Sequence, residues 1–160
     1  MPLLDPGDRF PPITVTLVDA PPLEVPQALA GHLAVVIFYR GSWCPYCNAQ
    51  LRAFQRAVDK LDTLDVKIVA LSVDDEASTR ELIAKHDLTF PVGHSAAAAA
   101  IHDATGAFVN RDPVYLQSTG FVLDRAGNVI VSVYSSGAIG RLVPADVAGL
   151  VEYLESKQAA

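Results

Sequence analysis

Cysteine is scarce in this 160-residue chain, which has two, Cys44 and Cys47, beside one methionine and one tryptophan. Two cysteines cannot make the disulfide framework that staples small secreted domains. They also fall short of a tetrahedral zinc site, because His32, His86, His94 and His102 offer no close-spaced pair to complete it. Neither a metal nor an organic cofactor is expected. Basic residues are few as well: 12 Lys and Arg stand against 18 Asp and Glu, for a formal charge of −6. That balance lacks the basic face that nucleic acid or an anionic membrane would need. No apolar run approaches the roughly 20 residues of a membrane span. Residues 1–9 show no basic start leading into an apolar core, so no secretory signal is read. The expectation is a cytoplasmic protein, in whose reducing surroundings a lone cysteine pair is catalytic rather than structural.

Apolar residues, by contrast, are plentiful. At 51% hydrophobic and 19% charged, residues 1–160 suit one domain that buries about two-thirds of the surface of its unfolded chain. Residues 1–12 are rich in Pro and Gly and read as an extended lead-in. Ile13 to Val18 alternates as a half-buried strand does. Leu23 to Leu33 fits either a short return strand or a helical turn near Pro26. Ala34-Val35-Val36-Ile37-Phe38 is continuously apolar, the pattern of a strand covered on both faces. From Cys47 onward, Leu51, Phe54, Val58 and Leu61 recur at helical spacing, with Arg52, Gln55, Arg56 and Lys60 on the other face.

Val66 to Val73 reads as the next strand, and Asp74-Asp75-Glu76 as the cap and acidic first turn of a helix reaching about His86. Leu88 to Val92 reads as a short strand, held extended at Phe90 by Pro91. Ser95 is the expected cap of an alanine-rich helix ending near His102, and residues 103–117 read as a long irregular loop in which Arg111 is simply solvated. Phe121 to Asp124 and Asn128 to Tyr134 flank Gly127 as a β-hairpin. A last helix opens at Pro144 and is expected to bury Val147, Leu150, Val151 and Leu154. Alternating strands and helices of this kind make an α/β fold with a central sheet between helical layers.

Both cysteines lie in Tyr39-Arg40-Gly41-Ser42-Trp43-Cys44-Pro45-Tyr46-Cys47, at the seam between a strand and a helix. Thiols three residues apart at a helix start lie within bonding reach. The helix N-terminus favours the thiolate, the form that attacks disulfides and peroxides. Cys44 is expected to face solvent and the unpaired N–H groups as the attacking sulfur, while Cys47, one turn in on the apolar face, is the shielded thiol. Pro45 in the first turn costs no hydrogen bond. Arg40 reads as a cation near the thiolate, Trp43 as either a docking surface or a lid, and Tyr46 as a residue that shapes access.

Several pieces match a known family in order and spacing: Pro6-Gly7-Asp8 before the first strand, Val35 to Tyr39 before the cysteines, Leu71-Ser72-Val73-Asp74, Leu88-Thr89-Phe90-Pro91-Val92, and Phe121-Val122-Leu123-Asp124 with Gly127. Over nearly its whole length the chain resembles the alkyl hydroperoxide reductase and thiol-specific antioxidant family, the peroxiredoxin-like proteins. The resemblance implies a thioredoxin-like fold, a mixed sheet flanked by helices with an N-terminal strand or hairpin extension. In the family's P-x-x-x-T-x-x-C register the peroxidatic cysteine falls on Cys47, the proline and threonine on Arg40 and Cys44, and the family's arginine on Ser118. Cys44-Pro45-Tyr46-Cys47 is also a glutaredoxin-type motif, in which Cys44 attacks and Cys47 resolves. The cis-proline of thioredoxin-like proteins then falls near Ser118.

The leading expectation is a thiol-disulfide oxidoreductase that cycles a Cys44–Cys47 dithiol and disulfide. Its electrons would come from a thioredoxin-like protein or a low-molecular-weight thiol. A thiol-dependent hydroperoxide reductase is the alternative, and a binding module with incidental cysteines is the third reading. By analogy with the family, a homodimer is implied.

Overall fold

The computed structural model describes residues 3–159; Met1 and Pro2, the first residues of the expected lead-in, and Ala160 lie outside the described residues. The strands are β1 (Ile13–Leu17), β2 (Leu23–Val25), β3 (Leu33–Phe38), β4 (Val66–Leu71), β5 (Val92–His94), β6 (Val109–Arg111), β7 (Val114–Leu116), β8 (Thr119–Leu123) and β9 (Val129–Tyr134). The helices are α1 (Pro45–Arg56), α2 (Val58–Thr63), α3 (Glu76–His86), α4 (Ala98–Thr105) and α5 (Pro144–Ala159). Seven strands form one mixed sheet in the order β2-β1-β5-β4-β3-β8-β9, while β6 and β7 pair separately. Strand β3 is parallel to β4 and antiparallel to β8.

The apolar run of β3 is buried at every position because both faces of the sheet are covered. Leu33, Val35, Ile37 and Tyr39 join one core cluster with Leu51, Phe54, Leu61, Leu82, Val147 and Val151 from α1, α2, α3 and α5. Ala34, Val36 and Phe38 join the other, with Phe10, Ala98, Ile101, Leu116 and Phe121. Each large side chain so buried contributes about 1.5–3 kcal/mol. The chain therefore leaves β3 between two packed layers, which fixes where Arg40 and the cysteines emerge.

Several local expectations change. The stretch from Leu23 to Leu33 holds both alternatives in turn, strand β2 and then a 3-10 turn at Gln27–Leu29. The helix read continuously from Cys47 through Leu61 is two helices, with Ala57 closing α1 and opening α2. No glycine or proline marks that break. The strand read over Leu88–Val92 begins only at Val92, where pairing to β4 starts. Ser95 does not cap α4: it adopts positive φ, and Ala97 stands at the N-cap without a side-chain hydrogen bond. The loop read over 103–117 contains the end of α4 and the β6–β7 hairpin. In α5, Val147 and Val151 are buried, but Leu150 and Leu154 only half so. Asp75 caps α3 as expected, accepting the Ser78 N–H at 2.8 Å.

Phe121 is fully buried where its ring meets Phe10, Phe38 and Tyr134 edge-on at centroid distances of 5.1, 5.6 and 5.6 Å. Replacing Phe121 with Ala is expected to lower stability by about 3–5 kcal/mol. Denaturant unfolding of both proteins measures it, and a loss of less than about 1 kcal/mol would contradict this packing.

Candidate active site

Strand β3 ends at Phe38, and the chain turns through Arg40 and Gly41 before α1 begins. A Cβ at Gly41 would overlap the Trp43 indole, so glycine is needed for the close approach. The turn is held from three sides. Asp74, three residues after β4, accepts the Ser42 N–H at 2.7 Å. Asn48 donates to the carbonyls of Ser42 and Cys44 at 2.9 and 3.0 Å. His86 lies 2.9 Å from the Asn48 carbonyl oxygen, and since both Asn48 donors are used, the His86 Nε2–H is the donor. Burial and the nearby Arg52 and Lys85 charges lower the His86 pKa, consistent with a neutral ring. His86 thus reaches the loop of the cysteines through Asn48.

Cys44 is the N-cap of α1, and its sulfur accepts the Cys47 N–H at 3.2 Å. Pro45 occupies the first turn, where its missing N–H costs nothing. Arg40 lies across the pair: its Nη1 is 3.8 Å from the Cys44 sulfur, Nη2 donates to the Tyr115 hydroxyl at 3.0 Å and Nε to Gln117 at 3.1 Å. The guanidinium also sits 4.9 Å from the Trp43 ring centroid and 5.1 Å from that of Tyr115, and the two rings meet edge-on at 4.9 Å. Cys47 receives the Arg40 backbone N–H at 3.4 Å and Arg141 Nη1 at 3.5 Å. Arg141 is held by Gln50 at 3.1 Å and the Ala138 carbonyl at 2.6 Å.

The expectation that Cys44 faces solvent is corrected here, because both cysteines are 0% exposed. Trp43 and Tyr46, in contrast, are about half exposed, at 54% and 53%. Arg40 and Trp43 beside the motif stack with Tyr115, which is far from it in sequence, and helix position alone does not reveal that arrangement.

The sulfurs differ electrostatically. Burial pushes the Cys44 thiol up, but the Cys47 thiol proton, the Cys47 N–H, the Arg40 guanidinium and the Arg141 charge outweigh it and bring Cys44 below its ordinary value. Burial raises Cys47, and the hydrogen bond to Cys44 raises it further; the Arg40 N–H and Arg141 oppose this without reversing it. The site therefore favours ionisation at Cys44 over ionisation at Cys47. Among the described residues no three His, Cys, Asp or Glu side chains converge on a point that could hold a metal ion. Among the described residues no helix is long and apolar enough to cross a membrane.

Residues 6–132 match the model of the AhpC/TSA family. The chain belongs to that family. It is 29% identical over 147 residues to a peroxiredoxin of Treponema denticola, covering 88% of this chain and 68% of that protein. Its identity to a peroxiredoxin of Chlorobaculum tepidum is 30%, over 88% and 67% of the two chains. A thiol-disulfide oxidoreductase ResA of Bacillus cereus is 26% identical, over 79% and 68%. In fold it resembles Mycobacterium tuberculosis AhpC, with a TM-score of 0.79 at 22% identity over 99% of this chain and 97% of that one. The protein is a peroxiredoxin-like, thiol-dependent oxidoreductase with a thioredoxin-like fold.

Ser118 is the position expected for the family's arginine. It is buried at the start of β8, where its carbonyl accepts the Ser135 N–H at 2.9 Å, and it supplies no charge. The guanidiniums at the sulfurs are instead Arg40 and Arg141. The cis prolyl bonds among the described residues, at Pro26 and Pro113, do not fall at Ser118. Sequence reasoning missed Tyr115, Gln117, Gln50 and Arg141, since all but Gln50 lie on elements distant from the motif. Gln50 had a usable signal: a polar side chain one turn after Cys47 on a buried helix face.

Replacing Arg40 with Ala is expected to raise the pH midpoint of Cys44 alkylation toward the ~8.5 of a free thiol. Arg40→Lys should fall between, since lysine keeps the charge but loses the fork that joins Gln117 and Tyr115. The rate of iodoacetamide labelling against pH measures this. An unmoved midpoint in Arg40→Ala would show that Arg40 does not stabilise the thiolate.

Proposed function

We propose that residues 1–160 act as one domain that reduces disulfides through Cys44 and Cys47. The Cys44 thiolate attacks a substrate sulfur, forming a mixed disulfide and releasing the other half of the substrate as a thiol. Cys47 then attacks Cys44, frees the second thiol and leaves the Cys44–Cys47 disulfide. Two electrons from a thioredoxin-like protein or a small thiol restore the dithiol. The observation that carries this reading is the Cys44 sulfur at the N-cap of α1, accepting the Cys47 N–H with Arg40 beside it. That is the environment of an activated thiolate, with a higher-pKa partner one turn away. A reducing compartment such as the cytoplasm would keep the pair ready.

A second reading, hydroperoxide reduction at Cys47, rests on the family register together with the Arg40 N–H and Arg141 guanidinium aimed at that sulfur. There Cys47 would take one peroxide oxygen as a sulfenic acid, release an alcohol or water, and condense with Cys44 to a disulfide and water.

Cys44→Ser and Cys47→Ser separate the two readings when each is assayed against a protein disulfide and hydrogen peroxide with a thiol donor. On the first reading Cys44→Ser abolishes disulfide reduction, whereas Cys47→Ser still forms a trapped mixed disulfide detectable by mass. Peroxide consumption that survives in Cys44→Ser and disappears in Cys47→Ser would instead make Cys47 the attacking sulfur.

A further inference from the structure

Arg40 and Arg141 reach the two sulfurs from different parts of the chain, and the direct contact of each guanidinium is with a different sulfur. Arg40 Nη1 approaches Cys44, and Arg141 Nη1 approaches Cys47. The ion pairs among the described residues use Lys60, Lys67, Arg80, Arg125, His32 and His94, and include neither of these arginines. At the site, each of these guanidiniums instead approaches a cysteine sulfur.

Disulfide exchange makes each sulfur an anion once. The first attack uses a Cys44 thiolate that shares the proton of Cys47. After that attack Cys44 is bonded to substrate and carries no charge, so that shared proton no longer benefits from it. Cys47 must then ionise where it is fully buried. The groups bearing on it are Cys44 on its own helix, the Arg40 N–H from the end of β3, Arg141 from the segment before α5, and Tyr39. Tyr39 is held neutral, pushed up to about 12 chiefly by burial. The remaining full charge on the free sulfur is Arg141.

We propose that Arg141 is a catalytic residue of the second half-reaction, its guanidinium holding the Cys47 thiolate that attacks Cys44 in the mixed disulfide. This rests on the reading of Cys44 as the attacking sulfur. Cys47 gives its proton to solvent and its electron pair forms the Cys44–Cys47 bond. The bond from Cys44 to the substrate sulfur breaks, and the substrate leaves as a thiolate. Gln50 is a positioning residue: 5% exposed, it accepts from Arg141 Nη1 and donates to the Leu142 carbonyl at 2.8 Å, which fixes the guanidinium between α1 and the segment leading to α5.

Dithiobis(nitrobenzoate) reads the two steps separately, because attack by the first cysteine releases one coloured thiolate and closure by the second releases another. In Arg141→Gln the second release is expected to slow about tenfold near neutral pH, and the first by less than about threefold. The deficit should shrink as rising pH ionises Cys47 unaided, and Arg141→Lys should recover most of the rate. Equal slowing of both releases, with no recovery at high pH, would reduce Arg141 to a tether for Ala138 and overturn the proposal.

A first release that persists in Cys44→Ser and falls on adding Arg141→Gln would make Cys47 the attacking sulfur, overturning the parent reading along with this one. An independent check needs no turnover. In Cys44→Ser, the ultraviolet titration of the Cys47 thiolate should move to higher pH when Arg141 becomes Gln. A fixed midpoint would overturn the proposal.

Discussion

A sulfur atom that accepts the first turn's N–H of a helix is the contact on which this active site depends. Side-chain oxygens usually fill that position. With Cys44 there, the orphan N–H of Cys47 is satisfied only by a sulfur, and a thiolate satisfies it better than a thiol. The contact joins local structure to reactivity. It determines where α1 starts, places Cys47 one turn further in on the core side, and gives the pair its electrical asymmetry. Everything else at the site holds that helix end against the end of β3. Asp74 and Asn48 fix the intervening turn through its backbone, leaving Arg40 to act with its side chain.

The elements that position this contact were legible because they are long and strongly patterned. The apolar run of β3 and the helical spacing from Cys47 to Phe54 are local signals, and the structure repeats them. Arg40 was legible for the same reason, standing four residues before Cys44. Shorter or unpunctuated features were not. Ala57 breaks the helix without a glycine or proline to announce it. The three-residue strands β6 and β7 are too short for period-two alternation to emerge from Asn110, Asp112 and Pro113.

The same limit explains the misjudged exposure of Cys44. Helix position correctly put its sulfur among N–H groups, but its cover includes Tyr115, which arrives on a hairpin outside the main sheet to meet Trp43 and Arg40. Arg141 is a sharper case. It lies in a segment of little secondary structure, and its role follows only from Gln50 and Ala138 turning its guanidinium toward Cys47. Ser118, read as a missing family arginine, has its explanation in that same segment, which pairs with its carbonyl through Ser135 and then brings a guanidinium in from another direction.

The burial of both sulfurs works for and against the chemistry. A dry site strengthens each sulfur–guanidinium attraction, since the effective dielectric falls as water is excluded. It also raises the cost of any thiolate that lacks a cation. A chain with a formal charge of −6 could easily have spoiled such a site with a carboxylate, yet no ion pair among the described residues joins a carboxylate to Arg40 or Arg141, and Asp74 beside the turn accepts a backbone N–H. Two arginines without acidic partners then stabilise whichever sulfur is charged. On the proposed disulfide-reduction reading, a substrate must reach Cys44, so closure cannot be permanent. The cover over it is Arg40 stacked with Trp43 and Tyr115, and these contacts are weak individually, each worth about 0.5–1.5 kcal/mol. A substrate can displace such a cover at modest cost, while the hydrogen bond at the helix N-cap keeps the thiolate in place beneath it.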